Sequence, residues 1–340
     1  MKAIPVEAAV GMVLGHDVTR IVPGGQKGPA FKRGHIIQPQ DVSAFLDIGK
    51  QHVYVEVMGP DRLHEDDAAM RIARAAAGIG LAMTNPSEGR VNLVAQHDGL
   101  LKIDVEALHR INSVPQIVVA TVHTNHQVVA GRAVAGMRVI PLTIEETAIE
   151  QVEEICRETH APICVKPFQS LEVGMVTTGS EVYHGRIEDK FGPVVRKKFE
   201  AIGCRISRQI LVSDEVAKTA AAIGTLIEEG AQMVVVTGGM SVDPDDCTPA
   251  AIRAAGGEVI TYGAPVFPGA MFMLAYIGEI PVLGLPGCVM YYRASIFDLV
   301  VPRLVAGDEI LREDITAMGH GGYCSGCAEC RYPICGFGSG

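Results

Sequence analysis

The chain has 340 residues, of which 48% are hydrophobic, and its 39 acidic residues outnumber its 29 basic residues to give a net charge of −10. This length predicts two or three domains with a substantial apolar core. The negative charge argues against general binding to nucleic acids or to anionic membranes, so an anionic ligand would need a local site.

The hydrophobic residues are spread along the chain rather than gathered in one segment. No apolar run reaches the roughly 18 residues needed to span a bilayer, so we expect no membrane insertion. Glu7 interrupts the apolar residues near the start, and we therefore expect no signal peptide and a cytoplasmic location.

The first half of the chain predicts two small regions. Residues 1–60 predict a small β-rich module, and residues 61–165 predict an α+β region whose role the sequence leaves open. The predicted strands lie at 18–22, 53–57, 91–95, 100–103, 116–122 and 127–133, and the predicted helices at 42–48, 61–80 and 145–158. A turn at Thr124-Asn125 would join the last two strands as a hairpin.

Strands and helices alternate in the second half of the chain. This pattern predicts an α/β domain over residues 170–308, with a mostly parallel sheet and helices on both faces. The predicted strands lie at 174–177, 205–212, 233–236, 258–262 and 282–285, and the predicted helices at 191–202, 214–229, 249–255 and 290–305. Residues 320–340 form a separate cysteine-rich tail.

One stretch of this domain combines the features of a phosphate-binding site. The apolar run Val234–Val236 predicts a buried strand, and Gly238-Gly239 allows a sharp turn directly after it. Asp243, Asp245 and Asp246 follow. The glycines let a phosphate approach backbone N–H groups, and carboxylates can hold a divalent cation against it. A polar loop that merely precedes a helix is the simpler alternative.

Two further glycine-containing loops follow predicted strands. One is Thr178-Gly179-Ser180-Glu181, and the other is Leu285-Pro286-Gly287-Cys288. Because parallel strands end at a common edge of a sheet, all three loops can converge there.

These residues carry a resemblance to a known family. The stretch from Gly174 to Val305 resembles the MoaB/Mog-type molybdopterin-binding domain. Thr178–Glu181 is similar to its Thr-Gly-Asp-Glu loop, with serine for aspartate, and Thr237–Val242 followed by Asp246 is similar to its Gly-Gly-x-Ser loop.

The sequence contains stretches that resemble motifs of two different branches of the family. Asp246–Pro249 is similar to the Asp-x-Thr-Pro step of the adenylyltransferase branch. Pro268-Gly269 and Leu285–Gly287 resemble the closing motifs of the molybdenum insertase (MoeA-like) branch, where asparagine usually stands at the position of Cys288. The insertases' Asp-Gly-Tyr-Ala segment is not found in the first half of the chain.

The resemblance implies a set of site residues. Those implied to bind molybdopterin or its adenylate are Thr178, Gly179, Ser180, Glu181, Gly238, Gly239, Ser241, Pro286 and Gly287. Asp246 is implied to hold Mg²⁺ or act on the phosphate, with Asp245 as a helper.

The implied role is in molybdenum cofactor biosynthesis, and three hypotheses stay open. The first is a transferase that inserts molybdate into the pterin with Mg²⁺. The second is adenylylation of molybdopterin by ATP, and the third is a non-catalytic carrier or sensor. The implied partners are molybdopterin, molybdate and a molybdoenzyme or another protein of the pathway, and the family also implies a homo-oligomer.

The tail carries the spacing Cys324-x2-Cys327-x2-Cys330-x4-Cys335. We refer to these four residues as the tail cysteines. Thiolates at this spacing can surround a soft metal, and in a cytoplasmic chain the cluster favours metal over disulfides. The spacing predicts a zinc or iron–sulfur site and does not separate the two. A redox-reactive or unstructured tail is the alternative.

Overall fold

A computed structural model of the protein describes residues 2–20, 28–55, 61–244 and 246–339. The chain folds into two compact units. The N-terminal unit comprises residues 1–97, 102–122 and 128–165, and the C-terminal unit comprises residues 98–101, 123–127 and 166–340. Asp245 and parts of the two strands predicted at 18–22 and 53–57 lie outside the described residues.

The strands over residues 2–167 are β1 (Lys2–Pro5), β2 (Val18–Arg20), β3 (Gly28–Phe31), β4 (His52–Val55), β5 (Arg62–His64), β6 (Leu81–Met83), β7 (Arg90–Ala95), β8 (Gly99–Ile103), β9 (Ile117–Thr121), β10 (Gln127–Val128), β11 (Ala133–Val139), β12 (Thr143–Glu145) and β13 (Ile163–Pro167). The helices of this part are α1 (Asp41–Asp47), α2 (Glu65–Ala76), α3 (Val105–Asn112) and α4 (Glu146–Glu158).

The strands over residues 172–285 are β14 (Glu172–Thr178), β15 (Arg205–Val212), β16 (Met233–Thr237), β17 (Glu258–Tyr262), β18 (Met273–Ile277) and β19 (Ile280–Leu285). The helices are α5 (Ser180–Tyr183), α6 (Phe191–Glu200), α7 (Val216–Glu228), α8 (Thr248–Ala254), α9 (Cys288–Tyr291), α10 (Ile296–Val305) and α11 (Arg312–Ala317).

The N-terminal unit contains an antiparallel sheet with the strand order β6-β7-β11-β9. Helix α2 packs against this sheet and against α4 because small apolar residues, among them Ala69, Ile72 and Ala76, share its buried face. The predicted hairpin is wrong, because the strand that pairs with β9 is β11, which begins only at Ala133. Asn125 adopts a positive φ of 61°, so a turn does form in the predicted place.

The C-terminal unit is built around a six-stranded sheet with the order β15-β14-β16-β19-β18-β17. The first four strands run parallel, and β18 pairs antiparallel with both of its neighbours, β19 and β17. The predicted α/β class with a mostly parallel sheet is therefore confirmed.

Both faces of this sheet are covered, which explains why its central strands are continuous apolar runs. Side chains alternate along β16, so Val235 joins one core with Phe199 of α6 and Phe297 of α10. Val236 joins a second core on the opposite face with Leu226 of α7.

Several elements of the C-terminal unit differ from the sequence prediction, and α5 and α11 have no predicted counterpart. β18 has no predicted counterpart, because its sequence Met-Leu-Ala-Tyr-Ile has one β-branched residue and no alternation of apolar and polar residues. The predicted helix at 290–305 is wrong in its first part. Ser295 begins α10 with a capping box in which Asp298 accepts from the Ser295 N–H, and this cap breaks the helix.

The tail belongs to the C-terminal unit, where Phe337 is buried in the core beside α10. The division of the chain into four parts stays a prediction. In the part of the chain that the structure describes, no helix is both long and apolar enough to cross a bilayer.

The packing predicts the effect of removing one core ring. Phe199 is fully buried and meets Phe297 edge to face, with 5.1 Å between ring centroids. We expect Phe199→Ala to lower the free energy of unfolding by about 3–5 kcal/mol, because the cavity left behind loses both transfer energy and contacts. Urea denaturation followed by circular dichroism measures this.

The matched control is Glu200→Ala, which truncates the exposed neighbour on the same helix and should change stability by less than about 0.5 kcal/mol. A similar loss in both variants would contradict this account of the core.

Candidate functional site

Three parallel strands end level with one another at one edge of the sheet. Thr177 of β14 lies opposite Thr237 of β16, and Thr237 lies opposite Leu285 of β19. The loops that the sequence singled out begin within one residue of these positions. The expected convergence of the three strand ends is therefore present in the fold.

The turn after β16 requires glycine. Gly238 and Gly239 have positive φ angles of 87° and 56°. A Cβ atom on Gly238 would lie 2.2 Å from the carbonyl oxygen of Thr178, and one on Gly239 would lie 2.9 Å from the hydroxyl oxygen of Thr248. Thr248 fixes the turn, since its hydroxyl donates to the Gly238 carbonyl at 2.9 Å and its N–H donates to the Gly239 carbonyl at 3.2 Å.

A cavity of about 920 Å³ opens at this edge of the sheet. We refer to it as the large cavity. Six residues of the sequence-predicted site line it, namely Gly238, Gly239, Ser241, Asp246, Pro286 and Gly287. This volume lies at the upper end of the range found for small-molecule sites.

The Thr178–Glu181 loop lies next to the glycine turn, where Thr178 approaches Gly238. Its residues are not among the described residues that line the large cavity. The Ser180 N–H donates to Asp214 Oδ2 at 2.7 Å, which holds this loop toward the segment after β15, and Glu181 is exposed. Within the described residues, the buried Thr178 hydroxyl has no hydrogen-bond partner. A ligand role for Thr178, Gly179, Ser180 and Glu181 stays a prediction.

Asp246 is the carboxylate that the structure describes on the wall of the large cavity. It is half-buried, its Oδ2 accepts from the Asp243 N–H at 3.2 Å, and its own N–H donates to the Asp243 carbonyl at 3.0 Å. Among the described residues, no three His, Cys, Asp or Glu side chains are placed to share one metal ion. Mg²⁺ is commonly held by only one or two carboxylates together with substrate phosphates, and a single wall carboxylate suits that mode.

Aromatic side chains line the other part of the large cavity. Phe267, Tyr291, Tyr292 and Tyr323 contribute to the wall, and each is more than half exposed. The sequence gives no sign of this wall, because Tyr291 and Tyr292 lie within the helix predicted at 290–305 and Tyr323 lies in the tail. An aromatic wall suits a flat heterocycle, which stacks on such rings.

Two thiols also reach the large cavity. Cys288 follows Gly287 at the start of α9, and Cys324 is the first of the tail cysteines. Burial raises the pKa of Cys288 above its ordinary value, so this side chain is held as a neutral thiol at neutral pH.

The tail cysteines line a second, smaller cavity of about 300 Å³, which we call the cysteine cavity. All nine cysteines of the chain are described, and no disulfide joins any two of them. In the described residues no three of these thiols are close enough to bind one metal ion together. The structure thus places the four thiols around one space without converging them on one point, and the tail metal stays a prediction.

A half-buried ion pair joins the elements around both cavities. Lys198 Nζ of α6 lies 2.8 Å from Asp298 Oδ1 and also donates to the Arg293 carbonyl at 2.9 Å. The carbonyl of Asp298 accepts from the Tyr332 hydroxyl at 2.8 Å. Burial raises the pKa of the Asp298 carboxyl, and Lys198 opposes that rise. This pair fixes the segment after α9 and the tail to α6.

Comparison with known proteins finds two family models that match parts of this chain. Residues 174–306 match the model of a family described as a probable molybdopterin binding domain. The six predicted residues on the cavity wall all lie inside that match. Residues 3–57 match a second family, described as a domain of unknown function (DUF8806).

Curated relatives match a short part of the chain. A CinA-like protein of Mycobacterium sp. (strain MCS) is 33% identical over 92 residues, which are 27% of this chain and 22% of that protein. A CinA-like protein of Mycobacterium tuberculosis (strain ATCC 25618 / H37Rv) is 30% identical over 79 residues, 23% of this chain and 18% of that protein. The chain thus spans about a fifth of the length of these relatives.

Solved structures resemble the chain over a larger share. The molybdopterin biosynthesis enzyme MoaB from Thermus thermophilus is 19% identical, with 41% of this chain and 98% of that chain covered and a TM-score of 0.33. The tungsten cofactor synthesizing protein MoaB from Pyrococcus furiosus is also 19% identical, with 40% and 92% covered and a TM-score of 0.33.

The geometry of the glycine turn predicts a sharp difference between two glycines. We expect Gly238→Ala to destabilise the protein by about 1–3 kcal/mol, because alanine disfavours the positive φ and its Cβ would clash with the Thr178 carbonyl. Gly224→Ala is the control, since Gly224 lies within α7 with no atom near its Cβ position. That change should raise stability by about 0.5–1 kcal/mol.

Thermal unfolding followed by calorimetry compares the two variants. A Gly238→Ala protein as stable as the Gly224→Ala protein would contradict the turn geometry described above.

Proposed function

We propose that the C-terminal unit binds molybdopterin or its adenylate in the large cavity and inserts molybdate into it with Mg²⁺. The single observation that carries this proposal is the convergence of the Gly238-Gly239 turn, Asp246 and the Pro286-Gly287 loop on one cavity. The match of residues 174–306 to a probable molybdopterin binding domain supports the choice of ligand class.

The glycine turn and the tyrosines form different parts of the wall of the large cavity, and together they define the proposed ligand position. The turn at Gly238 and Gly239 has no Cβ atoms, so a phosphate can approach the backbone N–H groups closely. The tyrosines at the other part of the wall offer flat apolar surface to the pterin ring. A net charge of −10 makes such a local arrangement necessary, because the protein as a whole repels an anionic ligand.

Asp246 is proposed to act at the phosphate. Its hydrogen bond from the Asp243 N–H orients the carboxylate on the cavity wall and leaves oxygen lone pairs for a further ligand. Mg²⁺, when bound, would neutralise the charge on the phosphate groups. The role of Asp246 is then to hold that cation beside the glycine turn.

The proposal predicts the effect of removing one charge from the wall. With molybdopterin adenylate, molybdate and Mg²⁺ supplied anaerobically, we expect the wild-type protein to release AMP only when molybdate is present. Asp246→Asn should lower that rate by at least about 100-fold, because it removes the proposed cation ligand, while the adenylate still binds. Chromatography measures AMP, and equilibrium dialysis measures binding.

Glu228→Gln is the charge-matched control. Glu228 is exposed at the end of α7, near the edge of the sheet where β16 begins, which is opposite the large cavity. This variant should release AMP at the wild-type rate. Equal loss of rate in both variants would contradict a specific role for Asp246.

Other results would assign a different function. Tight pterin binding without AMP release contradicts insertion. ATP-dependent formation of the adenylate would then identify an adenylyltransferase, and delivery of finished cofactor to an apo-molybdoenzyme without either reaction would identify a carrier. Absence of pterin binding would contradict the whole proposal.

A further inference from the structure

The tail is a closed loop held at both ends, although it contains almost no regular secondary structure. The Phe267 N–H donates to the Gly322 carbonyl at 2.8 Å, and the Cys324 N–H donates to the Phe267 carbonyl at 2.8 Å. At the other end the Gly338 N–H donates to the Gly321 carbonyl at 3.0 Å. With Phe337 buried in the core, the fold brings residues 321 and 338 together and fixes the segment between them.

This loop places all four tail cysteines around the cysteine cavity. Cys324, Cys330 and Cys335 are half-buried and pack against the core of the unit, while Cys327 is exposed. All four residues line this space of about 300 Å³.

Two kinds of occupant differ in how far apart they hold their four sulfur ligands. A structural zinc ion needs its four sulfur ligands at about 2.3 Å from one point. Among the described side chains, no three of these thiols are close enough together to bind one metal ion. An iron–sulfur cluster is also held by four cysteines, but each binds a different iron in the cubane form, so the sulfurs are held farther apart.

The charges at the cysteine cavity favour an anionic occupant. Arg293 and Arg331 line it together with the tail cysteines. A cluster with four thiolate ligands carries net negative charge, which guanidinium groups at the same wall would offset. The backbone of Arg293 is held in place, because its carbonyl accepts from Lys198 Nζ.

We propose that the tail cysteines bind one iron–sulfur cluster in the cysteine cavity. Each thiol loses its proton as its sulfur–iron bond forms. Where the cluster arrives on small thiolate ligands, each departing thiolate takes up one such proton, so the exchange is balanced and needs no oxidant or reductant. Cys324, Tyr292 and Gly326 line both cavities, which places the cluster directly beside the proposed pterin site.

The test is ligand exchange with a synthetic [4Fe–4S] cluster that carries four small thiolate ligands. The full-length protein, reduced and free of oxygen, is mixed with this cluster, separated by gel filtration and analysed for iron. We expect about four irons per chain in the wild-type protein, together with a broad absorption band from thiolate-to-iron charge transfer. The double variant Cys327→Ser/Cys330→Ser should retain less than about a tenth of that iron, because it loses half of the ligands.

Cys164→Ser is the matched control, because Cys164 is a half-buried cysteine of the N-terminal unit. It should take up as much iron as the wild-type protein. An equal loss in Cys164→Ser would overturn the assignment to the tail, and so would a wild-type protein that takes up no iron.

Alkylation of the unaltered protein provides a measurement that does not depend on a variant folding. Loading with the cluster should protect the tail cysteines, identified by mass spectrometry, and leave Cys164 as reactive as before. Protection by one zinc ion per chain, with no protection by the cluster, would overturn the proposal in favour of a zinc site. The iron readout requires no pterin, so its result is independent of the proposed insertion activity.

Discussion

The close approach of Gly238 to Thr178 is the constraint on which the proposed site depends. Parallel pairing brings the ends of β14, β16 and β19 to the same level, so the loops that follow them must turn within a few ångströms of one another. The turn after β16 has room only because it lacks a Cβ atom 2.2 Å from the Thr178 carbonyl. The same lack of side chains leaves backbone N–H groups open to a ligand.

The ion pair between Lys198 and Asp298 connects this sheet edge to the rest of the C-terminal unit. The Asp298 carboxylate pairs with Lys198, and it also accepts from the Ser295 N–H in the cap that begins α10. The backbone of the same residue accepts from Tyr332 in the tail. A partly desolvated pair with these additional hydrogen bonds fixes geometry more than it adds stability. It holds the wall that the large cavity and the cysteine cavity share.

The sequence was sufficient to predict five of the six strands of the sheet and to single out six residues that line the large cavity. Buried parallel strands leave a strong signal, since both faces must be apolar, and Gly238-Gly239 follows such a run directly. The missed features depend on tertiary structure. β18 has few β-branched residues, and the break before α10 depends on the reciprocal bonds of Ser295 and Asp298.

Two other features could not be read from spacing along the chain. The tyrosines reach the cavity from the end of α9 and from the tail, which are distant in sequence, and no pattern within either segment indicates that they meet. The placement of the Thr178–Glu181 loop outside the lining of the large cavity also depends on a long-range contact. This contact is the hydrogen bond from the Ser180 N–H to Asp214. Motif resemblance identifies such a loop without saying which side of it a ligand meets.

A crystal structure of the protein grown with molybdopterin adenylate tests the central claim most directly. The account predicts the ligand in the large cavity, with a phosphate oxygen within hydrogen-bond distance of a backbone N–H at Gly238 or Gly239. The pterin ring should lie against Tyr291, Tyr292 or Tyr323. A ligand bound outside this cavity, for example on the exposed side of the Thr178–Glu181 loop, would contradict the account.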